Sequence, residues 1–356
     1  MPLYRKTYAQ INLRNIQNNV KNIIQQYGNY TYYFGVVKAD SYGHNQIETV
    51  RAVIEGGCNY LAVATLEEAL TIRAQISDIP ILCLGMVPST AIPICIEKQI
   101  TITIPSLEYS EEILKNNCKG LKVHIKINTG MNRLGISQKE ECKQVYEQIQ
   151  SSDIFLEGIY THIYDADRTE IYEKQKQNFE KITEKIPIVQ IPIVHIAASE
   201  ALAKYEKPTY VNGCRLGIIM YGFSSNKEMA LQSTFSVYSE VIQINTLKKG
   251  ETVGYGGAYQ AKQDEKIAVV CIGYADGIIR KNTGRQVYIQ GKAYEIVGNI
   301  CMDMLFVKVD DTIQVGDTVT ILKDIEHIEA VAKHLETIPY EVMCTISKRV
   351  PRVYVR

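Results

Sequence analysis

Eight short apolar runs recur through the first two-thirds of the chain, spaced by polar stretches with helical periodicity. They are YTYYFGVVK (30–38), YLAVAT (60–65), IPILCLG (79–85), ITITIPS (100–106), KVHIKIN (122–128), FLEGIYTHI (155–163), IPIVHIAAS (191–199) and CRLGIIMYG (214–222). The runs are apolar almost throughout rather than alternating, as strands covered on both faces of a parallel sheet must be. Stretches such as TLEEALTIRAQI (65–76) and KEECKQVYEQIQSS (139–152) supply the intervening helices. Eight strand–helix units predict an α/β chain whose residues 9–230 form an N-terminal (β/α)8 TIM-type barrel. A doubly wound open sheet is the competing arrangement.

The texture changes after residue 230. TFSVYSEVIQINTL, KIAVVCIGYA, QVYIQG, KAYEIVG, MLFVKVD and DTVTILKD read as strands joined by turn signals such as KKGE, NTGR and QVGD. One helix, IEHIEAVAKHLETI (325–338), interrupts them. Residues 231–356 are therefore expected to form a mainly-β domain. The strand-like N-terminus, YRKTYAQINL, precedes the first barrel helix, so residues 1–8 are expected to join that domain.

The 39 basic and 39 acidic side chains cancel, which leaves no field to attract nucleic acid or an anionic membrane. Nine dispersed cysteines without a C-x-x-C pair fit reduced thiols in a cytoplasmic protein. The longest apolar window, IPILCLGMVPSTAIPICI (79–96), carries three prolines and reads as strand and loop, not as a membrane helix. The six histidines show no zinc spacing, so no metal is expected, and no dinucleotide fingerprint, Walker motif or nucleophile elbow is present.

A barrel of this kind builds its site at the C-terminal ends of its strands. Lys38 closes the first run, Arg133 follows the fifth, His162 sits near the end of the sixth, His195 and Ser199 fall late in the seventh, and Arg215 and Gly217 lie in the eighth. A buried ammonium is costly to desolvate unless it is paired or covalently modified. Ser199, with the N–H groups of Gly217 and Ile218, is placed where barrels bind phosphate, and Tyr42 adds a hydroxyl from the first loop. A reactive lysine opposite a phosphate cradle points to a phosphorylated carbonyl cofactor held as a Schiff base, pyridoxal 5'-phosphate. The glycine-rich VGYGGAY (253–259) lies between β segments and reads, on spacing alone, as a hairpin.

VVKADSYGHN, VHIKINTGMNRLGI, EGIYTHIYDAD, NGCRLGIIMYG, VGYGGAY, IGYADG, VGNICMDM and TISKRVPR occur in that order along nearly the whole chain. With these motifs the chain resembles the alanine racemases, fold-type III pyridoxal-phosphate enzymes. The resemblance implies a homodimer with active sites shared across the interface. It implies that Lys38 carries the cofactor and is the base on one face of the substrate, with Tyr255 of the second copy the base on the other. Arg215 would face the pyridine nitrogen. Arg133 would orient the cofactor and the substrate carboxylate, and Met302 would offer a backbone N–H. Lys126 matches a position that is often carbamylated. His162 and His195 would belong to the surrounding hydrogen-bond network, and Tyr274 and Asp303 would line the approach.

Three positions depart from the family pattern. Lys348 stands where a tyrosine is usual, Asn128 where an aspartate is usual, and Ala198 where an asparagine is usual. The change at 348 alters the methyl pocket and is similar to the departure in vancomycin-resistance serine racemases, which are membrane-anchored. The resulting expectation is a serine and alanine racemase of the cytoplasm, with the chain standing alone or as the cytosolic catalytic part of an anchored protein. A dedicated alanine racemase supplying cell-wall D-alanine is the alternative. A cofactor carrier lacking the β domain, and a decarboxylase of similar fold, fit the motifs less well.

Overall fold

The computed structural model describes residues 4–226 and 229–356, which divide into two compact units. One comprises Ile16–Ser41 and Gln46–Leu231; the other comprises Gln232–Arg356, Tyr42–Asn45 and the N-terminal residues as far as Asn15.

In the first unit eight strands close into a parallel barrel: β2 (Tyr32–Val36), β3 (Tyr60–Val63), β4 (Ile81–Cys83), β5 (Ile100–Ile104), β6 (Lys122–Lys126), β7 (Phe155–Tyr160), β8 (Ile193–Ala198) and β9 (Gly213–Leu216). β2 pairs in parallel with β9 and completes the ring. The strands are buried almost residue for residue, so their lack of alternation follows from burial on two sides. Helix Leu66–Arg73 shows the local control: Thr65 and Glu68 form a capping box at its start.

Lys38 does not close a strand, as the apolar run suggested. β2 stops at Val36, and the chain then enters a left-handed turn in which Ala39, Asp40, Ser41 and Tyr42 have φ between 52° and 55°. Non-glycine residues pay roughly 1–2 kcal/mol each for that conformation. Backbone capture offsets part of the cost. Val37 N–H donates to the Ala62 carbonyl, and Ala39 N–H donates to Glu68 Oε1 at 2.6 Å.

In the second unit an eight-stranded sheet runs β13–β16–β15–β14–β17–β10–β1–β18, with a further pairing of β13 to β10. Its members are β1 (Tyr8–Asn12), β10 (Phe235–Leu247), β13 (Glu265–Val270), β14 (Gln286–Ile289), β15 (Lys292–Val297), β16 (Leu305–Val309), β17 (Thr318–Leu322) and β18 (Arg352–Val355). β1 lies antiparallel to β10 and parallel to β18, so this strand belongs whole to the second unit. The two short strands β11 (Thr252–Val253) and β12 (Tyr259–Gln260) form a hairpin around VGYGGAY. A second helix, Pro339–Thr345, follows Ile325–Leu335 where one helix was expected; proline at its first position is favourable there. Among the described residues no helix is long and apolar enough to cross a membrane, and no disulfide joins the cysteines.

Candidate active site

Arg215 stands at the centre of the barrel group. It occupies the third position of β9, is 3% exposed, and has no carboxylate partner among the described residues. Its guanidinium is instead satisfied by neutral acceptors. Nη1 donates to His195 Nδ1 at 2.7 Å and to the His195 carbonyl at 3.1 Å. Nη2 donates to the carbonyls of Thr161 at 2.7 Å and Ile196 at 3.1 Å, and reaches His162 Nδ1 at 3.4 Å. Burial lowers its pKa to about 10, which leaves it a cation at neutral pH.

Lys126, the last residue of β6, is buried beside it. Its ammonium nitrogen bonds the Ile127 carbonyl at 3.1 Å and lies 4.8 Å from the centre of the Tyr160 ring. Burial first, then the charges of Arg215 and Arg133, push its pKa well below the ordinary lysine value. His162 is held well below its usual range by burial and by the charges of Arg215, Lys126, Arg133 and Lys38. Arg215, Lys126, Arg133 and Lys38 thus bring their charges to bear on one buried imidazole. Such a cluster is built to receive an anion.

The loop after β6 carries Arg133 on an exposed stretch. Asn128 organises it: Oδ1 accepts from Gly130 N–H at 3.1 Å and Asn132 N–H at 3.0 Å, while Nδ2 donates to Asn132 Oδ1 at 3.1 Å. An asparagine therefore serves where an aspartate is usual, because two of the three bonds need only an acceptor. Gly135, at φ 118°, lets the loop return; a Cβ there would sit 2.8 Å from the Asn128 nitrogen. At the far side Ser199 opens helix Ser199–Lys204, and its hydroxyl accepts from Gly217 N–H at 3.0 Å, with Ile218 buried next in sequence.

Tyr42 does not group with these residues by compactness. It belongs to the second unit, edge-on to Tyr340 at 6.3 Å, and burial raises its hydroxyl pKa. His44, fully buried, bonds Thr234 Oγ1 at 2.8 Å.

The second unit gathers the remaining candidates. Tyr255 lies at the tip of the β11–β12 hairpin, 74% exposed, in a turn that Gly254 and Gly256 enable with φ of 77° and 71°. Asn299 Nδ2 donates to the Tyr255 carbonyl at 2.8 Å. Beyond Asn299, the Cys301 and Met302 carbonyls accept from Tyr274 and Ala275 N–H, both at 3.0 Å. Asp303 Oδ1 accepts from Arg349 Nη2 at 2.8 Å, beside the exposed Lys348. Tyr255, Tyr274, Met302 and Asp303 are thus linked through one short segment, 299–303.

Two contributors escaped the sequence reading. Tyr160 stacks on His195 with centroids 4.6 Å apart and an angle of 11°, and lies 5.4 Å from the Arg215 guanidinium carbon. Glu68, read only as part of a helix, fixes the backbone next to Lys38. Neither looks unlike an ordinary core or cap residue in the sequence.

A closed parallel barrel with a lysine just past its first strand, a cationic mouth and a serine-capped backbone turn defines a class, the enzymes that hold a phosphorylated cofactor on a barrel lysine. The residues fit such an anionic group through the chemistry of the donor set. The family model "Alanine racemase, N-terminal domain" matches residues 11–225, and "Alanine racemase, C-terminal domain" matches 234–354. Alanine racemase 1 of Bacillus subtilis is 37% identical over 99% of this chain and 94% of its own. The crystal structure of alanine racemase from Bacillus anthracis with bound L-Ala-P superposes with a TM-score of 0.94 at 33% identity, covering 100% of this chain and 96% of that one. A histidine racemase from Leuconostoc mesenteroides shares the fold, with a TM-score of 0.89 at 24% identity over 100% of this chain and 99% of that one. The chain belongs to the alanine racemase family, racemases that use pyridoxal 5'-phosphate.

Proposed function

We propose that this chain interconverts L- and D-alanine as a homodimer, with Lys38 and Tyr255 of the second copy moving the α-proton on opposite faces of the substrate. The observation that carries the reading is the Arg215 cluster, a buried guanidinium fixed by neutral acceptors among basic groups. The cofactor, when bound, supplies the electron sink for the pair left at the α-carbon. Ser199 and the N–H groups of Gly217 and Ile218 would hold its phosphate, with the Tyr42 hydroxyl added, and Lys38 would hold its carbonyl carbon covalently.

Arg215 donates every hydrogen it directs at its neighbours and stays charged, so a ring nitrogen facing it receives a hydrogen bond rather than a proton. Lysine and tyrosine have reference pKa values of about 10.4 and 10, so each acts as a base only once it has given up its proton. Lys38 would take or return the proton on one face while Tyr255 does so on the other. Arg133 and the Met302 N–H would orient the substrate carboxylate, and Tyr274, Asp303 and Lys348 would line the approach. His162 and His195 position Arg215. Lys126 is a buried amine beside two arginines, the environment in which carbamylation by CO2 would supply a missing negative charge.

Alanine is preferred to the serine expected from Lys348. The two relatives reported above at more than 30% identity carry alanine in their names, and Lys348 is exposed, as a lysine extended towards solvent is. Steady-state kinetics on both amino acids, for wild type and Lys348→Tyr, decide this. We expect kcat/KM for alanine to exceed that for serine by about ten- to a hundredfold, the range within which a methyl pocket discriminates against an added hydroxyl. A serine value equal to or above the alanine value overturns the reading.

A further inference from the structure

The inside of a barrel is usually filled by layers of branched apolar side chains. Here a polar column runs beneath Arg215 and ends on a carboxylate that the reaction scheme leaves unused. Arg215 Nη1 meets His195 Nδ1 at 2.7 Å; His195 Nε2 meets His124 Nδ1 at 2.9 Å; His124 Nε2 meets Glu157 Oε2 at 3.3 Å. The four residues come from β9, β8, β6 and β7. His195 is clamped between Phe34 and Tyr160, with ring centroids 4.5 and 4.6 Å away at 13° and 11°. Gly158 makes room for His124, because a Cβ there would lie 2.5 Å from its Cε1.

Both ends of the column dictate the same proton placement. A guanidinium can only donate, so His195 Nδ1 must be bare and its proton must sit on Nε2. That proton occupies the bond to His124 Nδ1, which is bare in turn. His124 therefore carries its proton on Nε2 and donates to Glu157. A second proton on either ring would set N–H against N–H, so both imidazoles are neutral. Burial, the leading influence on each, acts in the same direction.

Glu157 has the partners of an anion. Oε2 also accepts from Tyr60 hydroxyl at 2.5 Å and Thr101 hydroxyl at 3.0 Å, and Oε1 accepts from Lys122 at 3.2 Å. Burial opposes the charge, but the hydrogen bond from His124, the bond from Tyr60 and the charge of Lys122 outweigh it and hold the carboxyl below its usual range.

We propose that Glu157 is a positioning residue for Arg215: acting through His124 and His195, it fixes the direction of each hydrogen bond in the column and so holds the guanidinium as an oriented donor at the barrel mouth. A carboxylate at one end and a guanidinium at the other polarise the two rings in the same sense, which strengthens each bond cooperatively. The consequence for the site rests on the reading of Arg215 as the group facing the cofactor ring; the proton placement does not.

The test uses the full-length enzyme carrying its cofactor and labelled with 15N-histidine. Wild type should show two slowly exchanging imidazole N–H signals on Nε2, assigned to His124 and His195 by His124→Asn and His195→Asn. In Glu157→Gln the His124 signal should move upfield and exchange at least about tenfold faster, and kcat should fall about tenfold with KM for alanine within about twofold. Tyr60→Phe keeps the carboxylate and removes a competing donor on the same oxygen, so the His124 signal should move downfield. It decides the matter if Glu157→Gln fails to fold. Protons found on Nδ1, or a His124 signal unmoved in the folded variants, overturn the proposal. Because these signals need no substrate, the column pattern with no alanine racemisation would count against the proposed activity alone.

Discussion

Arg215 lies within a short strand and Tyr255 at the tip of a short hairpin, and they are held in opposite ways. Arg215 is 3% exposed and its guanidinium makes bonds to two imidazoles and three carbonyls. Tyr255 is 74% exposed and is anchored through its carbonyl, in a turn shaped by glycines. A group fixed by burial can be altered only together with the packing around it. A group fixed by its backbone can be altered chemically while the fold stays as it was. The barrel unit is therefore where stability and chemistry are coupled, and the β unit is where they separate.

Tyr255→Phe tests that separation with the largest expected effect. Removing one hydroxyl from an exposed ring should leave stability within about 0.5 kcal/mol. Racemisation should fall by about 10²- to 10⁴-fold, the usual contribution of a positioned acid–base group, while the visible absorption of the bound cofactor persists. Activity within about threefold of wild type would remove Tyr255 from the two-base scheme. A matching loss of melting temperature would mean that the hairpin tip is not independent of the fold.

Gly158→Ala probes the coupled side and should act on both properties at once. The new Cβ would lie 2.5, 2.6 and 2.8 Å from three atoms of His124, a fully buried ring. Overpacking of this kind costs about 1–3 kcal/mol. Calorimetry should show a melting temperature several degrees lower, at about 2–4 °C per kcal/mol for a large domain, together with reduced kcat. An unchanged melting temperature would show that the column yields freely, and the contrast with Tyr255 would weaken.

The same contrast explains what could be read in the sequence. Eight apolar runs announced the barrel because double-sided burial leaves a compositional trace in every strand. Lys38, Arg133, His162, Ser199 and Arg215 stood out because charged and hydroxyl groups at apolar strand ends need a reason. The left-handed turn at Ala39–Tyr42 left no such trace: a glycine usually signals positive φ, and none lies between Val36 and Tyr42. Glu157 and His124 sat inside strands as lone polar residues, and their partnership depends on register across β6, β7 and β8. The place of β1 in the second sheet was half legible, since a strand-like N-terminus shows its type but not its neighbours.

The smallest effect belongs to the loop that bridges the two regimes. Arg133 is exposed like Tyr255, but a side chain, Asn128, holds its loop as Arg215 is held. In Asn128→Asp the carboxylate keeps both bonds from Gly130 and Asn132 N–H and strengthens them by its charge. It loses the donor to Asn132 Oδ1, which the Asn132 amide can recover by turning its own N–H₂ towards the carboxylate. Stability should therefore stay within about 0.5 kcal/mol and KM for alanine within about twofold. Asn128→Ala removes all three bonds and should raise KM about three- to tenfold at nearly constant kcat, because the loop that positions Arg133 loosens while the buried groups stay put. If the aspartate variant behaves like the alanine variant, the amide donor rather than the acceptor oxygen holds the loop, and the departure at 128 is a requirement of this chain rather than a tolerated exchange.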